Sequence, residues 1–358
     1  MLWRRRLTRR VALQRGAALA ALARAHPSLF AQRGPAAASR QQEVDPPGWE
    51  AVSARLQAAV DGGEVDGAGL VAVSATQTLY LRAFGRYGVD SVDLIASATK
   101  QPSACTLMAL VDDGAVALDD PVARYLPEFA GAKAAITLRQ CLSHTSGLPS
   151  MAPELSDDTI TLAEAVRRYA RLPLVAAPGT RFVYGGVSYS VAGRVAEVVS
   201  GMDWEALFAQ RIAGPLGMAT FDYGATPNPR IGGGAACSLL DYAPFLRMHL
   251  NGGTGTGQQV LSAGAVAEMQ RSQLPPGVTT DGVAVKREFG YGLGWWFDAL
   301  DTAGNPTQFS DPGLFGAVPW LDPGRGYGAF LLVRRMLRDG VRIYDDLLPL
   351  VQAAVAAG

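Results

Sequence analysis

Lysine, histidine and cysteine are scarce in this chain: each occurs three times in 358 residues. Of the 32 basic residues other than histidine, only Lys100, Lys133 and Lys286 are lysines. Where positive charge alone is needed, the sequence uses arginine. A retained lysine is therefore a candidate for work that needs a removable proton, which arginine cannot provide. The cysteines, Cys105, Cys141 and Cys237, sit in apolar surroundings and have neither CxxC nor metal-ligand spacing. This argues against a redox motif or a zinc site. They read as small buried core residues, with one disulfide as the alternative. His26, His144 and His249 are dispersed, so neither a metal nor another cofactor is called for. Net charge is zero, with 32 acidic residues scattered among the basic ones. No basic face marks a nucleic-acid partner. Beyond the first 40 residues there is no apolar run of about 18, so no stable membrane span is expected. The glycine-rich stretch Asn251–Gln258 lacks the lysine of a phosphate loop and reads as a surface connection.

What is present is ordinary globular material, 49% hydrophobic and 18% charged, enough for a sizeable core. Residues 1–38 combine a basic start, an Ala/Leu run and the small residues Ala36–Ala38. They read as a signal peptide for export, to the periplasm. Thr8–Arg9–Arg10–Val11 with Leu13 resembles a twin-arginine signal. The alternative is a basic leader without an export role. Residues 39–48 read as a linker, and residues 49–358 as one catalytic domain. Within it, Trp49, Val52, Leu56 and Val60 predict a helix that stops at Gly62–Gly63. Gly69–Ser74 and Thr78–Phe84 read as strands, as do Leu293–Phe297, Ala317–Leu321 and Gly328–Val333. A last apolar helix is expected over about 343–356. Sheet material at about 49–100 and 290–358 around a mainly helical part at about 101–289 predicts an α/β (α+β) fold. Both chain ends build its sheet.

The motif carrying most chemistry is Ser97-Ala98-Thr99-Lys100. At the start of a helix, positions i and i+3 share a face. The spacing sets the lysine amine beside the serine hydroxyl. Burial lowers a lysine pKa, and a neutral amine can accept the hydroxyl proton. Alone the motif is weak, and an ordinary helix start with a surface lysine is the plain alternative.

Its context adds weight. The stretch LIASATKQPSACTLMALVDDGAVALDDPVARYLPEF (94–129) resembles the first-motif region of the serine β-lactamase and DD-peptidase superfamily, especially its class C and family VIII esterase-like branch. The resemblance continues in ITLRQCLSHTSGLP (136–149), in 178–218, in GYGLGWW (290–296) and in SDPGLFGAVPWLDP (310–323). It spans roughly 50–335 in order and at family spacing. It implies a β-lactamase/transpeptidase-like fold: an antiparallel sheet flanked by helices, with an inserted helical subdomain. It also implies that Tyr184 is a second proton-transfer group, and that the backbone N–H groups of Ser97 and Leu314 form an oxyanion hole.

Two departures stand out. The family's Tyr-x-Asn appears as Tyr184-Gly185-Gly186, so Gly186 lacks the side chain that anchors the lysine or a substrate amide. The family's Lys/His-x-Gly aligns with Asp311-Pro312-Gly313, a carboxylate in place of a cation. Asp311 facing the site would repel a substrate carboxylate by about 4 kcal/mol at 4 Å and an effective dielectric near 20. It would also favour the protonated form of Lys100. Alternatively, Asp311 points away and caps the turn before Pro312. His144 reads as a structural turn histidine donating to backbone rather than a triad member, since no G-x-S-x-G elbow exists.

The resemblance implies a serine hydrolase forming an acyl-enzyme on Ser97. Its expected substrates are small esters or amides without a free carboxylate, bound near Gly186, Asp311 and Gly313. β-Lactamase or DD-peptidase activity is the second reading. A binding or sensor protein on the same fold is the alternative of another class. Oligomeric state and partner proteins are open at this stage.

Overall fold

The computed structural model describes residues 44–280 and 289–358. The expected signal segment and Lys286 lie outside the described residues. A six-stranded antiparallel sheet forms the frame, in the order β2-β1-β8-β7-β6-β5. Its strands are β1 (Gly67–Ser74), β2 (Thr78–Gly85), β5 (Trp296–Leu300), β6 (Pro306–Ser310), β7 (Val318–Asp322) and β8 (Tyr327–Val333). Strands from the two ends of the domain meet where β1 pairs with β8, with Val71 opposite Phe330.

Residues of β1 are apolar on both faces because both faces are covered. Leu70 and Ala72 pack with Val52 and Leu56 of α1 (Glu50–Asp61) and with Ile343 and Leu347 of the last helix, α10 (Leu337–Ala357). Val71 and Val73, one residue out of phase, face the helical part together with Phe330 and Leu332. That period-two alternation fixes the register, since a slip of one residue would exchange the two layers. Each large side chain fully buried in this way contributes about 1.5–3 kcal/mol.

The helical part contains α2 (Lys100–Asp112), α3 (Leu138–Leu142), α4 (Leu162–Tyr169), α5 (Val187–Ser200), α6 (Trp204–Phe208), α7 (Gly214–Leu216), α8 (Leu239–Leu250) and α9 (Ala263–Gln270). Helix α2 is buried from Lys100 through Leu110. Helix α8 packs on β1 and β8, and the Tyr242 ring stacks on Phe330 at 4.2 Å. A two-stranded ribbon, β3 (Asp93–Leu94) with β4 (Ala236–Cys237), ties the approach to α2 to the segment before α8. The three cysteines are free and buried.

Candidate active site

A single 3-10 turn, Ala96–Thr99, leads into α2 and carries Ser97. Ala96 sits at φ 47°, in the left-handed region that non-glycine residues rarely occupy. Such a conformation costs on the order of 1–3 kcal/mol and persists only where the surroundings enforce it. Here Thr99 Oγ1 donates to Ala96 O at 2.6 Å, and the Ala235 N–H donates to Thr99 Oγ1 at 3.2 Å. Tyr242 donates to Ala98 O at 2.5 Å. The turn is thus held from its own helix, from the β4 segment and from α8.

Lys100 lies one helical step beyond Ser97 and is only 3% exposed. Its Nζ donates to Ser97 Oγ at 3.2 Å and to the Gly232 carbonyl at 2.6 Å. The amine also lies 4.5 Å from the centre of the Tyr184 ring. Burial pulls the Lys100 pKa down to about 8, and nearby Asp311 opposes part of that fall. Asp311 thus favours the protonated form, as expected, but desolvation is the larger effect.

Asp311 follows β6 and is completely buried. Its Oδ1 accepts from the Tyr184 hydroxyl at 3.3 Å and from Trp296 Nε1 at 3.1 Å. It thus faces the site; it does not point away to cap a turn. Burial raises its pKa to about 8, against the pull of Lys100 and of the Tyr184 and Trp296 donors. Asp311 is therefore not the fixed negative charge that its sequence position suggests. Burial favours the uncharged acid at neutral pH, and the charge develops as pH rises. Tyr184 is pushed well above the usual phenol range by burial first and by Asp311 second, with the Ser97 hydroxyl working the other way. It is therefore a phenol at neutral pH.

Gly313 and Leu314 lie beside the serine turn. A Cβ at Gly313 would fall 2.1 Å from the Ile95 carbonyl oxygen, so only glycine admits this approach. The Leu314 N–H makes no backbone hydrogen bond among the described residues. Gly186 immediately precedes α5, and Leu155 covers it: a Cβ there would lie 3.2 Å from Leu155 Cδ1. Ser97, Lys100, Tyr184 and Asp311 are thus linked through one network, buried at Lys100 and Asp311 and half-buried at Ser97 and Tyr184, with Gly313 against the same turn.

His144 also abuts this network, but not as expected. Its ring lies 4.5 Å from Tyr184 and 5.2 Å from Tyr291, and its backbone is at φ 60°. Nδ1 is 3.5 Å from Ser188 Oγ, while Nε2 has no partner among the described residues, so the side chain does not donate to backbone. Burial and Lys100 hold it neutral. Two contributors escaped sequence reasoning. The Gly232–Gly234 run signals close backbone approach, and Gly232 supplies the carbonyl that holds Lys100. Trp296 belongs to the GYGLGWW segment, but nothing in its sequence indicates which tryptophan reaches Asp311. A cavity of about 600 Å³ near the C-terminal end of α2 contains none of these residues. Its Arg139 is already paired with Asp119 at 2.7 Å.

The arrangement can deprotonate a serine, donate a phenol proton and present main-chain N–H groups to an anion. The β-lactamase family model matches residues 52–354. The chain belongs to the β-lactamase family. It is a serine hydrolase, like the esterases and peptidases of that family. It is 31% identical to penicillin-binding protein 4 of Amycolatopsis lactamdurans over 282 residues, covering 68% of this chain and 72% of that protein. It is 35% identical to esterase EstB of Burkholderia gladioli over 148 residues, covering 36% of this chain and 38% of EstB. The structure of a presumed β-lactamase from Bacteroides dorei DSM 17855 superposes with a TM-score of 0.74 at 32% identity. That match covers 84% of this chain and 98% of the other.

Proposed function

We propose that this hydrolase cleaves small carboxylic esters or amides through an acyl-enzyme on Ser97. Ser97 Oγ attacks the substrate carbonyl as Lys100, in its amine form, takes the hydroxyl proton. The backbone N–H groups of Ser97 and Leu314 hold the developing oxyanion. Tyr184 protonates the leaving group, and water then releases the acid. The observation that carries this reading is the 3.2 Å contact between Lys100 Nζ and Ser97 Oγ, with the lysine buried deeply enough to lose its proton near pH 8.

The substrates proposed are uncharged where they meet Asp311. A substrate carboxylate there would find a second carboxyl group in place of a cation, which disfavours it whenever Asp311 is ionised. Likeness to penicillin-binding protein 4 supports a second reading, a β-lactamase or DD-peptidase. We further propose export to the periplasm, on the strength of the leader sequence alone. A fluorophosphonate tests the enzyme reading directly. The expected result is a label on Ser97 in the wild type and none in Ser97→Ala, with p-nitrophenyl ester hydrolysis lost in the same variant. An inert, folded wild-type protein would favour a binding or sensor role, and undiminished hydrolysis by Ser97→Ala would refute the assignment.

A further inference from the structure

The Asp311 carboxyl group is fully buried, with two donors on Oδ1: the Tyr184 phenol at 3.3 Å and the Trp296 indole at 3.1 Å. Oδ2 has no hydrogen-bond partner among the described residues. A buried ionised carboxylate leaves lone pairs unmet at considerable cost when donors are this few. The uncharged acid, with a proton of its own, is better suited to such a place. The ionisable groups facing it are Lys100 from α2, Tyr184 in the segment ahead of α5, Tyr189 in the first turn of α5, Tyr242 from α8, Tyr291 ahead of β5, and Asp298 on β5. Next to Lys100, His144 stays uncharged. The phenol touching Asp311 is the group that also faces Ser97.

We infer that Asp311 is the proton-relay partner of Tyr184: a positioning residue that holds the phenol toward Ser97 and exchanges with it the proton that goes to the leaving group. The inference rests on the acyl-enzyme reading above. Before reaction Lys100 is an amine and Asp311 an acid. Ser97 Oγ forms its bond to the carbonyl carbon, and its proton moves to Lys100. When the bond to the leaving oxygen breaks, the Tyr184 hydroxyl is turned toward that oxygen and the Asp311 proton lies on Oδ1, the oxygen 3.3 Å from the phenol; the leaving oxygen takes the Tyr184 proton and Tyr184 takes the proton of Asp311. The acyl-enzyme then holds an ammonium and a carboxylate. In deacylation, water adds to the acyl carbon and gives a proton through Tyr184 to Asp311. Lys100 returns its proton to Ser97 as the ester bond breaks. Protons balance over the cycle, and the buried pair alternates between two forms of equal net charge.

The test is the dependence on leaving group. p-Nitrophenyl butyrate and ethyl butyrate form the same acyl-enzyme, but p-nitrophenolate departs unprotonated and ethoxide does not. Asp311→Asn keeps an acceptor for Tyr184 and Trp296 and removes the proton. Near pH 8, kcat/KM for the ethyl ester is expected to fall about a hundredfold or more, the usual scale for loss of an acid. The fall for the p-nitrophenyl ester, and in the rate of fluorophosphonate labelling, should be at least about tenfold smaller than the fall for the ethyl ester. Wild-type profiles give an independent check should the variant not fold: Lys100 and Asp311 both titrate at about 8. The ethyl ester should therefore show a bell centred there, and the p-nitrophenyl ester a rise to a plateau. Equal losses on both esters, no loss on either, or matching pH profiles would overturn the relay. If labelling stays normal in those cases, the Ser97 assignment survives; if wild-type Ser97 never labels, both fall.

Discussion

Leu155 occupies the space that a side chain at position 186 would need. A Cβ on Gly186 would lie 3.2 Å and 3.3 Å from the two Leu155 methyl carbons. Leu155 is itself buried, and its carbonyl accepts from Arg230 Nε at 2.7 Å, which keeps its backbone in place. Gly186 and Leu155 are therefore sterically complementary: the side chain of one fills the space that the other leaves.

This makes restoration of the motif a packing problem. Gly186 has φ −92°, which any residue can adopt, so steric overlap is the obstacle. Gly186→Asn is expected to cost about 1–3 kcal/mol by overpacking. Leu155→Ala alone should cost about 2–5 kcal/mol by leaving a cavity. Combined, they should be less damaging than their sum by at least about 1 kcal/mol, since each relieves the other. A denaturant double-mutant cycle measures this, and strict additivity would show that the two positions do not compete.

Local relationships were legible in the sequence, and distant ones were not. The apolar runs of β1, β7 and β8 mark strands because each lies between covered faces. β5 is expected at Leu293–Phe297 but runs Trp296–Leu300, because Gly294 at φ 85° breaks the extended backbone. β6 carries no strand signal in the sequence: it begins at Pro306 and pairs with β7 through only Phe309 and Ser310, so no alternation develops. α10 begins at Leu337, ahead of the expected 343. Gly340 conceals that start, and it is required there because its missing Cβ would meet Gly316 at 2.3 Å. In the site, Ser97 and Lys100 are readable as a pair because the helix joins them. The Gly232 carbonyl lies 132 residues from Lys100, and only the fold brings it there.

Lys100 is buried against the Ser97 hydroxyl, the Gly232 carbonyl and the Tyr184 ring. Lys100→Arg preserves charge but cannot give up a proton usefully. Under the acyl-enzyme reading, kcat for an uncharged ester is expected to fall at least about a hundredfold. Steady-state kinetics on protein of unchanged thermal midpoint provides the check. Near-normal turnover would reduce Lys100 to a structural charge.

Asp311 should lower the stability of the protein in a pH-dependent way. Its folded pKa, about 8, is above the ordinary value of 3.8. Between these values the folded state holds a proton that the unfolded chain has released, so the cost of burying Asp311 grows as pH rises and levels off near 8. Asp311→Asn removes that cost. The variant is expected to melt close to wild type near pH 4 and higher than wild type by pH 7, by several degrees or more. Thermal midpoints across that range decide the matter; a constant difference would mean that Asp311 is ionised throughout.

Substrate charge provides the sharpest test of Asp311. Ionised, it opposes a carboxylate beside it; protonated, it merely fails to attract one. Wild-type acylation by benzylpenicillin, relative to an uncharged alkyl ester, should therefore decline as pH passes about 8, where Asp311 loses its proton. Asp311→His removes the negative charge yet can still carry a proton for Tyr184, so the ratio of the two rates isolates charge from general damage. Above pH 8 that ratio is expected to rise about tenfold, the factor given by roughly 1.4 kcal/mol of relieved repulsion. Below pH 7 the gain should shrink, because the acid form of Asp311 repels nothing. A rise of equal size at both pH values would point to shape rather than charge. No rise at either would mean that the substrate carboxylate lies beyond the reach of Asp311.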